Sequence, residues 1–126
     1  MDIYRLDHGN IRTNNLDNMI DWYTEILGFE NGWRPNFPFG GAWMYSGKNP
    51  LIHLVHETEQ LGERGDLRLE HVAFSARGRK EFCDRLDEKG VAYKETTLAD
   101  AGLIQINIWD PDGNHIHVDF SLDEEN

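Results

Sequence analysis

Leu16, Met19, Ile20, Tyr23, Ile26 and Leu27 recur at spacings of three and four, which predicts an amphipathic helix over about Asn15–Leu27. Asn14 or Asn15 stands where a side chain can cap its start, and Gly28 where a left-handed residue would end it. A second helix is predicted from about Gly78 to Lys89, with Phe82, Cys83 and Leu86 turned inward and Gly90 as its stop. Short β-type stretches surround these helices: Ile3–Ile11, Phe29–Trp33, Ala42–Tyr45, Leu51–His56, Leu69–Ser75, Val91–Glu95, Leu103–Trp109 and His115–Phe120. Pro35, Pro38, Gly40 and Gly41 mark a loop, and Glu57–Asp66 reads as a polar linker. The predicted order is β-α-β-β-β, a linker, then β-α-β-β-β again.

Composition narrows the class. A chain of 126 residues, 39% hydrophobic and 28% charged, reads as one soluble globular domain. Its apolar runs fall far short of the roughly 20 residues a membrane span needs. Twelve basic against 23 acidic residues give a net charge of −11, which repels nucleic acid and anionic lipid and argues against both as partners. The charge is spread evenly, with four basic against nine acidic residues up to Glu63 and eight against fourteen from Arg64 onward. The opening Met1-Asp2-Ile3-Tyr4-Arg5 lacks the basic and apolar regions of a secretory signal. With a single cysteine, Cys83, no internal disulfide can form, and a cytoplasmic location is expected.

The six histidines, at 8, 53, 56, 71, 115 and 117, all fall on predicted strands or strand ends. They also follow an internal repeat. Leu6-Asp7-His8 returns as Leu69-Glu70-His71, 63 residues on, and Leu27-Gly28-Phe29 as Lys89-Gly90-Val91, 62 residues on. His53, in the last strand of the first unit, corresponds to His117 in the last strand of the second.

Trp22-Tyr23-Thr24-Glu25-Ile26-Leu27-Gly28-Phe29, Leu69-Glu70-His71-Val72-Ala73-Phe74 and Asp110-Pro111-Asp112-Gly113-Asn114, in this order and spacing, resemble the vicinal oxygen chelate superfamily. That superfamily includes glyoxalase I, fosfomycin- and bleomycin-resistance proteins and extradiol dioxygenases. The resemblance runs from about Tyr4 to Phe120. It implies an α+β glyoxalase-like domain over 1–126, with module 1 (about 3–56) and module 2 (about 67–121) forming a curved eight-stranded sheet around an open cavity. It also implies a homodimer in which each cavity takes one module from each partner, a small-molecule substrate, and a divalent metal ion (Fe, Ni, Mn or Zn). Carried over position by position, the family's metal ligands land on His8, His53, His71 and His117. Histidine stands at His53 and His117 where glyoxalase I-like members carry carboxylates, so the reactions that depend on those carboxylates are not implied.

The two-residue period of a strand groups His8 with Asn10 and Arg12, His53 with Val55 and Glu57, and His115 with His117 and Asp119. Glu57 and Asp119 are thereby candidate catalytic carboxylates, and Arg12 and His115 candidate substrate contacts. Trp33, Phe39, Trp43 and Tyr45, with Phe37, could line an aromatic substrate pocket or pack the loop and strand after the first helix. His56 falls out of phase with His53 and reads as a surface residue. Trp22, Tyr23 and Cys83 read as packing, Trp109 as structural, and Asp110, Asp112 and Gly113 as turn residues.

Four neutral imidazoles would leave the metal charge uncancelled, favouring an anionic or enolate-forming oxygen ligand. Catalysis would then need an expanded shell with open positions, or one histidine left unligated. Two functions follow: a metal-dependent lyase, isomerase or dioxygenase acting on a small oxygen-rich, possibly aromatic substrate by Lewis-acid stabilisation of an enolate or oxyanion, or a metal-free protein that sequesters a drug or metabolite.

Overall fold

The structure is a computed structural model that describes residues 1–2, 5–62 and 70–124. The chain divides into two compact units, Met1–Glu63 and Arg64–Asn126. In the first, β1 (Gly9–Thr13) leads through α1 (Leu16–Glu25) to β2 (Glu30–Gly32), β3 (Gly41–Ser46) and β4 (Asn49–His56). In the second, β5 (His71–Ser75) leads through α2 (Arg79–Glu88) to β6 (Lys94–Leu98), a 3-10 turn at Ala99–Ala101, β7 (Leu103–Trp109) and β8 (His115–Ser121). The strands form two four-stranded mixed sheets of matching order, β1-β4-β3-β2 and β5-β8-β7-β6. In each, only the first and last strands of the unit pair in parallel. Both expected β-α-β-β-β modules are present.

The predicted apolar stripe holds α1 in place: Met19 and Tyr23 are fully buried, and the helix packs on β2, β3 and β4. Ala42 and Met44 of β3 and Ile52 and Leu54 of β4 are buried with it. Trp22, expected in the core, is only half-buried and meets the Tyr23 ring edge-on at 5.0 Å. In the second unit Phe82 and Leu86 of α2 are buried together with Ile106, Ile108, Ile116, Val118 and Phe120. Cys83 is half-buried, and burial pushes its thiol above the ordinary value, so the thiolate a nucleophile needs is scarce. Because side chains alternate along a strand, the sheet faces opposite these core residues carry His53, His71, His115 and His117.

Four details depart from expectation. β1 starts at Gly9 rather than Ile3, because two residues before its partner Ile52 comes Pro50, which has no N–H to extend the ladder. Ile3, Tyr4 and the last part of the expected linker lie outside the described residues. β6 lies at Lys94–Leu98 rather than Val91–Glu95, since the Val91 N–H closes the exit of α2 on the Leu86 carbonyl. Neither asparagine side chain caps α1: Asn14 binds the Glu57 and Glu59 carbonyls and the Leu61 N–H instead, anchoring the start of the linker.

The fourth concerns α2, whose predicted start, Gly78, has no side chain with which to cap it. Glu124 does so from 46 residues away, accepting the Gly78 N–H at 2.6 Å and the Arg79 N–H at 2.9 Å. These bonds hold its carboxyl below the ordinary 4.5. A carboxyl lowered on folding adds stability that is fully present above about pH 4.5 and is lost as pH falls through its folded value. Glu124→Gln is therefore expected to lower the urea midpoint at neutral pH, with the gap to the wild type narrowing as pH falls below about 4.5.

Candidate functional site

In the first unit, β4 lies between β1 and β3, with Asn10 on one side of His53 and Trp43 on the other. His8, two residues before Asn10, projects the same way. Three rings stack as a result. His53 lies between His8, at 3.8 Å and 8° between planes, and Trp43, at 4.0 Å and 14°. His53 is 8% exposed, and its Nε2 is buried without a hydrogen-bond partner. Left so, a buried polar atom costs roughly 1–3 kcal/mol. Burial, and next the neighbouring His8, pushes the His53 ring below its ordinary 6.5; the Pro50 carbonyl opposes them. Nε2 is thus the His53 ring nitrogen that is buried with its hydrogen-bonding capacity unused. His8 is oriented by Asp7: its Nδ1 lies 2.7 Å from Asp7 Oδ2, a bond that holds the Asp7 carboxyl below the usual range.

In the second unit β8 carries His115, His117 and Asp119 on one face. β5 sets His71 opposite His115 and Ala73 opposite His117, and β7 sets Trp109 and Asn107 opposite the same two histidines. Buried Asp110 fixes the entry to β8, accepting the Asp112 and Asn114 N–H groups at 3.0 and 2.9 Å. His117 is buried, its ring 4.4 Å from that of His71, and its Nδ1 donates to Asp119 Oδ1 at 2.6 Å. The His71 Nδ1 bonds to Glu70. Glu70 also receives the His115 Nδ1 at 3.1 Å, and the two bonds, that to His71 first, hold its carboxyl below the usual range.

One rule covers the four histidines at the carried-over ligand positions. In three of them an acidic oxygen holds Nδ1 — Asp7, Glu70 or Asp119 — and among the described residues none of the four makes a protein hydrogen bond through Nε2. Imidazoles oriented this way fit a divalent transition metal, because the Nδ1 partner fixes the tautomer that leaves the Nε2 lone pair free. Glu70, His71 and His115 also bring one donor atom each within 4.8 Å of one another, a second arrangement able to hold a cation. Glu70→Ala is expected to weaken zinc binding by about 10- to 100-fold with little change in the circular dichroism spectrum, as measured by competition with a chromophoric chelator.

The remaining expected residues divide. His115 has both nitrogens engaged, since its Nε2 meets Asn107 Oδ1 at 2.9 Å while the Asn107 amide donates to the Lys94 carbonyl. With Trp109 stacked 5.0 Å from it, His115 braces Glu70. Glu57 is set in the turn after β4, its carboxylate accepting the Glu59 N–H at 3.2 Å, and no contact joins it to the histidines among the described residues. Arg12 is exposed on the His53 face of the sheet, and His56 is exposed as expected. Trp33 is exposed and meets Trp43 edge-on at 6.1 Å, while Tyr45 donates its hydroxyl to the Trp33 carbonyl at 2.6 Å and so braces that loop. Phe39 stacks on Phe37 at 5.0 Å. Sequence reasoning missed Asp7 and Glu70 as orienting groups; their signal was the acidic residue preceding the first histidine in both copies of the repeat.

The profile of the Glyoxalase/Bleomycin resistance protein/Dioxygenase superfamily matches residues 5–118. The chain belongs to this superfamily. Among solved structures, a glyoxalase family protein from Bacillus anthracis is 23% identical, with a TM-score of 0.77, over 96% of this chain and 98% of that one. A genomically encoded fosfomycin resistance protein from Listeria monocytogenes is 19% identical, with a TM-score of 0.70, over 94% of both chains. A lactoylglutathione lyase from Agrobacterium tumefaciens is 16% identical, with a TM-score of 0.71, over 94% of this chain and 95% of that one. At these identities the likeness establishes the glyoxalase fold and leaves the reaction open. No curated protein sequence matches the chain. As for membranes, no helix among the described residues is long and apolar enough to cross one.

Proposed function

We propose that this superfamily member is a metal-dependent enzyme in which His8, His53, His71 and His117 are ligands to a divalent ion, Zn, Fe, Ni or Mn. The substrate is a small oxygen-rich molecule that presents two adjacent oxygens. The observation that carries this reading is the buried, unpartnered Nε2 of His53 in a ring stack that holds it neutral. Bound there, the ion supplies Lewis-acid stabilisation of a developing enolate or oxyanion. Neutral imidazoles cancel none of its charge, so an anionic oxygen donor is favoured over a neutral one. Asp7, Glu70 and Asp119 act as positioning residues, each holding the Nδ1 proton of its histidine. Buried His117 and half-buried Asp119 keep their pair away from competing water.

A test is proton exchange at the carbon next to a carbonyl. Zinc- or nickel-loaded protein, incubated with a panel of small α-hydroxy carbonyl compounds in deuterated water, is expected to exchange that proton. The exchange should disappear on chelation and in His117→Ala. A second reading, metal-free sequestration of a drug or metabolite, is favoured by the exposed aromatic loop around Trp33. Absence of exchange, with ligand binding unchanged by chelation, would leave that reading standing. The protein is further proposed to work in the cytoplasm as a homodimer, sedimenting at twice the 14.6 kDa chain mass.

A further inference from the structure

We infer that Arg34 and the aromatic side chains around it receive the carboxylate-bearing, planar part of the substrate, so that the ligand class is a small aryl or conjugated carboxylate. This deepens the proposed function by naming the substrate class, and rests on it for direction. Its test uses metal-free protein, so the two can fail separately.

Up to Glu63 acidic residues outnumber basic ones nine to four. Yet among the described residues no carboxylate lies within ion-pair distance of Arg34. Its guanidinium carbon sits 5.1 Å from the Phe37 ring centroid and 5.5 Å from that of Phe39. Nη2 donates to the Phe39 carbonyl at 3.1 Å, and Nε is buried without a partner. A guanidinium held by ring faces, with no carboxylate beside it, suits a planar anion, because its fork matches a carboxylate in two parallel hydrogen bonds.

The surroundings supply the flat apolar counterpart. Trp33 is 72% exposed, Phe39 44% and Phe37 37%. Clustered exposed aromatics of this kind mark a binding surface on a soluble protein. They also lead to the candidate ligands: the Phe37 ring lies 6.3 Å from Trp43, which stacks on His53 at 4.0 Å. A ligand anchored by its carboxylate at Arg34 and lying along these rings extends toward the His53 imidazole. On a chain of charge −11, Arg34 sets a positive charge beside these rings that favours an anion there.

The probes are benzoate, benzamide of the same shape without the charge, and acetate with the charge and no ring. Each is titrated into chelator-treated, 15N-labelled protein while the four tryptophan indole N–H signals are followed by NMR. Benzoate is expected to shift the Trp33 and Trp43 signals saturably and to leave those of Trp22 and Trp109 in place. Benzamide should bind at least about 10-fold more weakly, as loss of a charge-assisted bidentate contact requires, and acetate should bind more weakly still. In Arg34→Met the affinity for benzoate should fall to that for benzamide, while Arg34→Lys retains part of the preference. Equal binding of benzoate and benzamide by the wild type, saturable shifts with neither, or a benzoate preference that survives Arg34→Met would each overturn the inference. The wild-type comparison stands even if a variant fails to fold. Zinc content, measured separately, reports on the histidines alone.

Discussion

Replacing His53 by alanine is expected to cut zinc affinity by two to three orders of magnitude while leaving the metal-free fold almost as stable as before. Structural zinc sites with four protein ligands bind with about 10–16 kcal/mol, so a quarter share is about 2.5–4 kcal/mol, or about two to three decades in affinity. Stability should respond differently. The alanine removes a buried nitrogen that has no partner, a relief of roughly 1–3 kcal/mol. It also opens a gap between His8 and Trp43, which costs a similar amount of lost packing. The pH dependence adds a check. His53 is held below its ordinary 6.5, chiefly by burial. The unfolded chain therefore takes up the proton first, and native stability is lost as pH falls from about 6.5 through the folded value. His53→Ala should flatten that part of the profile in chelator-treated protein. Unchanged zinc affinity in the variant would remove His53 from the ligand set.

Gly41→Ala is expected to be the most damaging single-methyl change in the first unit. A Cβ at Gly41 would lie 2.3 Å from the Leu54 carbonyl oxygen and 3.2 Å from Arg34 Nη2. The first contact is with the backbone of the neighbouring strand, so no rotamer change relieves it and β3 must move off β4. Overpacking of this severity costs about 3 kcal/mol or more, which for a chain of this length lowers Tm by roughly 10 °C. Trp43 is two residues along the same strand and pairs with His53, so the displacement should also weaken zinc binding. Gly47→Ala serves as the comparison: its Cβ would meet nothing within 4 Å, although its φ of +60° makes the substitution mildly strained. Thermal unfolding of the two variants side by side measures the difference. Equal Tm values would mean that β3 and β4 are not in the contact described.

Much of this molecule was legible in the order of its residues. The three-and-four spacing from Leu16 to Leu27 locates α1, since packing against a sheet demands that period. The repeat of Leu-Asp-His as Leu-Glu-His anticipates two modules of the same strand order, which the matching sheets display. Strand period alone puts His115, His117 and Asp119 on one face. What stayed hidden depends on contacts between distant residues. Glu124 caps α2 from beyond β8, and no local pattern near Gly78 announces it. The engagement of both His115 nitrogens depends on Asn107 in a neighbouring strand. Glu57 passes a period-two test for the site, yet its carboxylate is held in a turn because β4 ends one residue earlier. Asp7 and Glu70 lay in plain view in the repeat, but a carboxylate next to a histidine in sequence becomes its hydrogen-bond partner only in a particular backbone geometry.

The most direct test of the metal assignment is elemental analysis of untagged protein purified without chelators, repeated after stripping and reloading. About one equivalent of a first-row transition metal per chain is predicted, retained at neutral pH and released as pH falls below about 6.5, because the ligands must be neutral imidazoles. Less than about a tenth of an equivalent after reloading, or retention that does not change down to about pH 5, would contradict it.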